Sequence, residues 1–466
     1  MRKYFGHVDA SAEDMQALNS HFVSHELFTE IIGPDNSDGA QIIVGLKGAG
    51  KTALGRVAIE RFDGIQWFCS EKSKVYRFQV PKNVPRSGIL MKMIRVFIIE
   101  QFVEQLLSEK TIEKEDLEKI VSALKGLGAK VAKSTEVNAG LLKIDPAKFF
   151  SVDIESKADS AWETAISLLK EKAESKNMFI VLDDVDTYFS GLEEEPRFIE
   201  GLCRAVIEIN SIDGLNLYCV LLVKQGVWRT LFAKPDEYDK IKYCIEFLSW
   251  DIHQCAAVLC GRIAEIHELD FEPPQTLDVA IEYLKRDFAG SKKDIKNCFE
   301  SIFEYSANGP RDVIDLCNSV KRKYPSSRID ISKLQERIPN YSEEKLNGIN
   351  ADYGHIYPDM PGFLLNAFQS FRAKFKGKLL AVHLEGEDGI LTDPRSERQA
   401  FGQHDWFKDA TSDGMVKVLF DIGVVGIVRS NRPALFSNED SSISQNQLGK
   451  STLVVHKSFQ SALGLA

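Results

Sequence analysis

Residues 41–62 read QIIVGLKGAGKTALGRVAIERF, and this stretch decides the fold. An apolar run, Ile42-Ile43-Val44, ends on a glycine-rich turn, and the residues after the turn recur at helical spacing, so a strand is expected to feed a helix. The turn, Gly45-Leu46-Lys47-Gly48-Ala49-Gly50-Lys51-Thr52, matches GxxxxGK[ST] without a gap. Each residue type in it has a physical task. Glycines let successive backbone N–H groups wrap phosphate oxygens, and the helix start adds the positive end of its dipole. The Lys51 ammonium is placed to reach β- and γ-phosphates, and the Thr52 hydroxyl is a hard oxygen ligand suited to Mg²⁺. The competing reading is a tight turn whose glycines only satisfy left-handed φ.

A phosphate loop needs a carboxylate from a nearby strand. Phe179-Ile180-Val181-Leu182-Asp183-Asp184 offers four apolar residues ending in two acids. Two adjacent carboxylates at a buried strand end are costly unless a cation pairs them. Asp183 is therefore the expected Mg²⁺-side acid, and Asp184 the group that orients or deprotonates the attacking water. Asp186 is a third acid, equally readable as a loop carboxylate.

Farther out, strand-like stretches at residues 66–69, at Leu215 to Val223 and at Tyr243 to Leu248 alternate with helical segments at residues 160–176 and 196–210. This alternation implies α/β architecture with a parallel sheet and a ligand at the carboxyl ends of its strands. A glycine-dotted piece near residues 126–140 reads as an insertion or loop. From Trp250 the strands stop, and amphipathic helices run to Tyr324, as a helical lid would. Past residue 350, Leu364, Phe368, Phe371 and Phe375 share one helical face. A helix over Gly414 to Val425, a polar hairpin-like stretch, the strand TLVVH and a short helix follow, in the outline of a winged helix. The expected domains are residues 1–250 (sheet with an N-terminal extension), 251–345 (helical) and 346–466 (α+β).

The loop and the hhhhDDVD strand together resemble P-loop ATPases of the AAA+/STAND superfamily, in particular bacterial proteins that carry VGxKGxGKT. The FGHVDASAEDMQAL segment, the FLSWD stretch, NGPRDVIDLCN and the terminal VVHKSFQSALGL look like further parts of that layout. The resemblance implies a P-loop NTPase sheet with a helical lid and a C-terminal winged-helix-like domain, ATP and Mg²⁺ as cofactors, and signal-dependent assembly, in defence against phage or foreign DNA. It also implies that Arg311 is a lid arginine touching the γ-phosphate, with Gly309-Pro310 as the lid turn. The residues alone equally allow Gly-Pro to start a helix, with Arg311 and Asp312 exposed in its first turn. Where the superfamily often ends a strand on a polar or arginine sensor, this chain has Lys224-Gln225. Arg204 and Arg229 are the candidate trans-acting fingers.

Composition sets the outer limits. The 466-residue chain is 44% hydrophobic and 27% charged, with a formal charge of −10, which argues against a wholesale basic nucleic-acid coat. No apolar run reaches the length of a membrane span, and the start lacks the apolar stretch of a secretory signal, so a cytoplasmic location without membrane contact is expected. The eight cysteines are scattered without metal spacing, and most are expected to be buried thiols. Phe371 to Lys378 interleaves cations with aromatics, as in nucleic-acid contacts, but equally reads as a helix end with Gly377 just beyond it. Lys321-Arg322-Lys323 has the same two readings. Arg429 and Arg432 lie in the presumed wing, leaving DNA and protein both open as C-terminal partners. The acids Glu385, Glu387, Asp388 and Asp393 near His383 read as a solvated turn rather than a metal site.

The resulting expectation is an Mg²⁺-dependent ATPase switch that binds ATP and ADP and self-associates or acts on an effector partner. Two alternatives stand beside it: a nucleotide-holding DNA- or protein-binding adaptor with negligible turnover, and a small-molecule kinase.

Overall fold

The computed structural model describes residues 4–6, 10–23, 41–62, 65–68, 178–183, 195–215, 217–231, 242–306, 309–354, 356–369, 371–386, 389–430, 432–437 and 443–465. It also describes residues 115, 119, 129–131, 142–144 and parts of a helix within 163–171. The expected Asp184 and Asp186, most of the 126–140 insertion, and Glu387 and Asp388 of the acidic turn lie outside these residues.

Five parallel strands form the main sheet: β1 (Ile42–Gly45), β2 (Ile65–Phe68), β5 (Met178–Asp183), β6 (Leu217–Lys224) and β7 (Ile245–Leu248), in the order β2-β5-β6-β1-β7. The protein is thus α/β. All four residues of β1 are buried, which explains why its sequence runs apolar without alternation: a central parallel strand is covered on both faces. A separate antiparallel pair joins β3 (Ala129–Val131) to β4 (Leu142–Ile144). Helix α1 (Met15–Ser20) precedes the sheet, α2 (Lys51–Phe62) follows β1, α3 (Glu195–Asn210) precedes β6, and α4 (Gln225–Leu231) follows it directly.

Helices α5 (Ile252–Ile266), α6 (Leu277–Leu284), α7 (Lys292–Tyr305) and α8 (Pro310–Lys323) form an apolar cluster of their own. Their starts are locally encoded: Asp251 with Gln254 and Ser291 with Asp294 close capping boxes on α5 and α7. Helix α9 (Ile338–Tyr353) leaves this cluster, which takes in its Tyr341, and enters the C-terminal one at Leu346. The N-terminal segment is shared. Phe5 is buried in the helical cluster, while Leu18 packs under the sheet. Arg262 of α5 holds Glu13 through two hydrogen bonds of 2.8 and 3.0 Å, and Arg56 of α2 donates to the Glu13 carbonyl at 2.8 Å. The N-terminal extension bridges sheet and helices.

The C-terminal part contains α10 (Met360–Ala367), β8 (Lys374–Lys376), α11 (Gly377–Glu385), α12 (Ser412–Asp421), β9 (Val425–Arg429), β10 (Arg432–Leu435), α13 (Gln445–Lys450), β11 (Thr452–Val455) and α14 (Lys457–Gln460). Its four strands order as β10-β9-β11-β8, antiparallel. Three sequence expectations are corrected here. Phe371 and Phe375 do not continue a helix from Leu364: α10 ends at Ala367, and Phe375 pairs with Leu453 of β11. The aromatic spacing is met instead by rings that cluster across a turn, with Phe371 and Phe375 centroids 4.8 Å apart. Gly377 is not a helix terminator but opens α11, where a Cβ would lie 2.0 Å from the Leu448 carbonyl, so only glycine allows the approach to α13. The helix expected to reach Val425 stops at Asp421, and Val425 begins β9.

Among the described residues, no helix is long and apolar enough to cross a membrane. Six of the seven described cysteines are buried and all seven are free; burial pushes the Cys298 thiol up to about 12, which suppresses the reactive thiolate.

Candidate functional site

β1 ends at Gly45, where the chain turns through residues 46–50 into α2. Gly48 and Gly50 have φ of +90° and +92°, a region other residues reach only with strain, so the two glycines are required by the turn. Ala49 N–H donates to the Leu46 carbonyl at 3.1 Å and closes it. Lys51, 9% exposed, folds back over the loop and donates to the carbonyls of Gly45 (2.8 Å) and Leu46 (3.0 Å). Its charge is thereby held against the loop backbone.

The acid predicted from the second motif reaches the same place. Asp183, 4% exposed, ends β5, and its Oδ2 accepts a hydrogen bond of 2.7 Å from the Thr52 hydroxyl. β6 separates β5 from β1; it ends level with β1, pairing Lys224 with Gly45, and runs past the end of β5, where Leu221 pairs with Leu182. A hydroxyl and a carboxylate in contact are a hard-oxygen pair of the type Mg²⁺ takes, and the residues present fit that ion. Among the described residues, no group of three or more His, Cys, Asp or Glu side chains is arranged to hold a metal. Mg²⁺ commonly binds through one or two protein oxygens, with waters and ligand phosphates completing its shell.

Three elements from outside the sheet meet the loop. The Arg311 side chain lies against Gly48: a Cβ there would be 2.9 Å from both Cβ and Cδ of the arginine. Trp250, two residues past β7, donates its indole N–H to the Ala49 carbonyl at 2.6 Å. Lys47 forms an ion pair with Asp352 of α9 at 2.6 Å. Asp312 is not exposed as a simple helix start would have it: it is 1% exposed and ion-paired with Lys345. Gln225 is also buried, and its Nε2 donates to the Ser437 carbonyl at 2.7 Å, joining the end of β6 to the C-terminal part.

Other candidates fall elsewhere. Arg204 pairs with Glu200 on its own helix at 2.9 Å. The side chain of Arg229 lies outside the described residues. Lys321 is buried against Asp287 at 2.6 Å, a structural pair rather than a surface cation. Glu385 accepts from the Ser412 N–H and Asp393 binds Arg395, so these two acids of the turn are engaged by their own chain. Sequence reading missed the contacts of Trp250, Lys47 and Gln225 because each spans distant segments. The local signal for Trp250 is its place in the FLSWD stretch, directly after the strand that pairs with β1, Gly45 opposite Leu248.

No protein-family model matches the chain, and no curated protein matches it significantly.

Proposed function

We propose that the protein is an Mg²⁺-dependent ATP-binding and hydrolysing switch, with a P-loop NTPase core, a helical lid over residues 251–345 and a winged-helix-like C-terminal domain. The observation that carries this reading is the Thr52–Asp183 hydrogen bond, 2.7 Å long across 131 positions, at the mouth of a GxxxxGK[ST] loop. In this reading the loop amides and Lys51 hold the triphosphate, Lys51 exchanging the Gly45 and Leu46 carbonyls for phosphate oxygens. Thr52 and Asp183 hold the cation. Bound Mg²⁺ would neutralise charge on the β- and γ-phosphate oxygens. Asp184, the next residue, remains the expected group to orient water, and Arg311 above Gly48 is the expected contact of the lid with the γ-phosphate.

The contacts of Asp352 with the loop and of Ser437 with Gln225 would carry lid and loop rearrangement into the C-terminal domain. Helix α12 supports a protein partner for that domain over groove-reading of DNA. Its first turn exposes Asp413, and its one lysine, Lys417, is paired with Asp421.

Phosphate release from MgATP, followed across protein concentration for the wild type and Lys51→Ala, tests the reading. Turnover that Lys51→Ala abolishes supports it, and a rise steeper than linear supports completion by self-association. ADP recovered from the purified protein without any turnover favours the nucleotide-holding adaptor instead.

A further inference from the structure

We propose that Trp250 is a positioning residue that couples the lid to the phosphate loop, so that occupancy of the loop is passed to Arg311 through one indole ring. This inference rests on the nucleotide-binding reading and deepens it.

Three observations converge on the ring. First, its N–H donates to the Ala49 carbonyl at 2.6 Å, within the loop itself. Second, the ring also faces the lid turn: a Cβ on Gly309 would lie 3.1 Å from Cδ1 and 3.5 Å from Cγ of the indole. Gly309 has φ of +78° and is the N-cap of α8, whose second residue is Arg311. Third, Trp250 packs against the apolar cluster of the sheet and also against that of the helices, and among the described residues it is the one aromatic that borders both.

The mechanical consequence follows from close packing. Ala49 and Gly309 touch the same rigid ring, so the spacing between loop and lid turn is set by the width of an indole, and neither can shift without moving it. Gly309 must be glycine for that approach, because a methyl group there would press on the ring in addition to straining the backbone. A methyl group on Gly50, also at positive φ, would lie an ordinary 3.7 Å from Cζ2, so the loop's second glycine is not what the indole constrains. When the loop admits phosphate, any rotation of the Ala49 peptide removes the acceptor of the indole N–H. The ring then follows or loses its bond, and the turn carrying Arg311 is released or redirected. Trp250 touches no reacting atom in this scheme; it acts through Ala49 on one side and Gly309 on the other.

The test is hydrogen exchange of the full-length protein, with and without MgATP, read in peptides covering residues 45–54 and 306–316, alongside steady-state ATPase kinetics. Trp250→Phe keeps an aromatic ring and removes the N–H donor. Expected is retained MgATP-dependent protection of 45–54, lost MgATP-dependent protection of 306–316, and kcat lowered about fivefold with KM little changed, the factor corresponding to one neutral hydrogen bond. Gly309→Ala, which perturbs the ring from the lid side, is expected to give the same split. Protection retained in both peptides in both variants overturns the coupling. Loss of protection in both peptides overturns it as well, because a ring that merely holds the fold would fail in that way. If the wild type shows no MgATP-dependent protection in either peptide, the nucleotide reading falls and this inference with it; a responsive wild type whose variants keep that response refutes the inference alone.

Discussion

Replacing Gly48 by alanine separates the cost of a strained loop from the cost of displacing the start of α8, because Gly50 supplies a matched control. Both glycines sit at nearly the same positive φ, +90° and +92°. Each alanine therefore incurs about 1–2 kcal/mol of backbone strain, offset by about 0.4–1 kcal/mol from the reduced freedom of the unfolded chain. Their surroundings differ. At Gly50 the nearest atom to the new methyl is Trp250 Cζ2 at 3.7 Å, ordinary contact, whereas at Gly48 the methyl meets Arg311 Cβ and Cδ at 2.9 Å. The Arg311 Cβ is anchored to α8, so rotation of the side chain cannot relieve that contact and the helix start must move. Overpacking of this kind costs about 1–3 kcal/mol. Gly50→Ala is thus expected to destabilise locally by about 1 kcal/mol and Gly48→Ala by about 2–4 kcal/mol. Native-state hydrogen exchange without nucleotide reads the difference: amides at the start of α8 should exchange faster in Gly48→Ala than in Gly50→Ala, by about tenfold for each 1.4 kcal/mol. Equal exchange of that turn in the two variants would refute the claim that Arg311 is packed on the loop.

Other expectations concern the two motifs and the N-terminal segment. Lys51→Ala should lower MgATP affinity by at least about tenfold, as loss of a charge-assisted contact implies, measured by titration with a fluorescent ATP analogue. Asp184→Asn should bind ATP like the wild type and hydrolyse it slowly; wild-type turnover removes it as the water-orienting group. Burial would raise the Glu13 carboxyl, but the Arg262 guanidinium, through its two hydrogen bonds, and the His21 imidazole 3.6 Å away outweigh it and hold it at about 2. A depressed acid stabilises the fold above its unfolded value near 4.5 and loses that contribution as pH falls from there through about 2. About 3 kcal/mol is at stake, so acid titration should detach the N-terminal segment in that window, and limited proteolysis near residue 13 should report it. Glu13→Gln, which leaves Arg262 buried without its anion, should remove the acid transition and destabilise the contact at neutral pH by about 3–5 kcal/mol.

What was legible in the sequence is concentrated where a few neighbouring residues suffice. The strand-loop-helix at residues 41–62 could be read because β-branched residues, obligatory glycines and the GK[ST] ending act within one turn of chain. The acid at the end of β5 was legible for the same reason. The apolar series Leu364, Phe368, Phe371 and Phe375 misled, since helical spacing also arises when a turn folds several rings into one core. Pairing of Phe375 with Leu453 outweighed the local period there.

The sequence by itself therefore determined the chemistry that this chain can offer: a turn that only glycines can make, a lysine and a hydroxyl at its end, and a carboxylate closing an apolar strand. Only the tertiary structure decided which of these groups meet. The strand order β2-β5-β6-β1-β7 brings Asp183 to Thr52, the pairing of β7 with β1 sets Trp250 on the loop, and the packing of α8 and α9 brings Arg311 and Asp352 to its rim. The physical reason is that turn geometry and strand or helix periodicity depend on residues a few positions apart, whereas strand order and docking follow from burial summed over the whole chain, which no local pattern records.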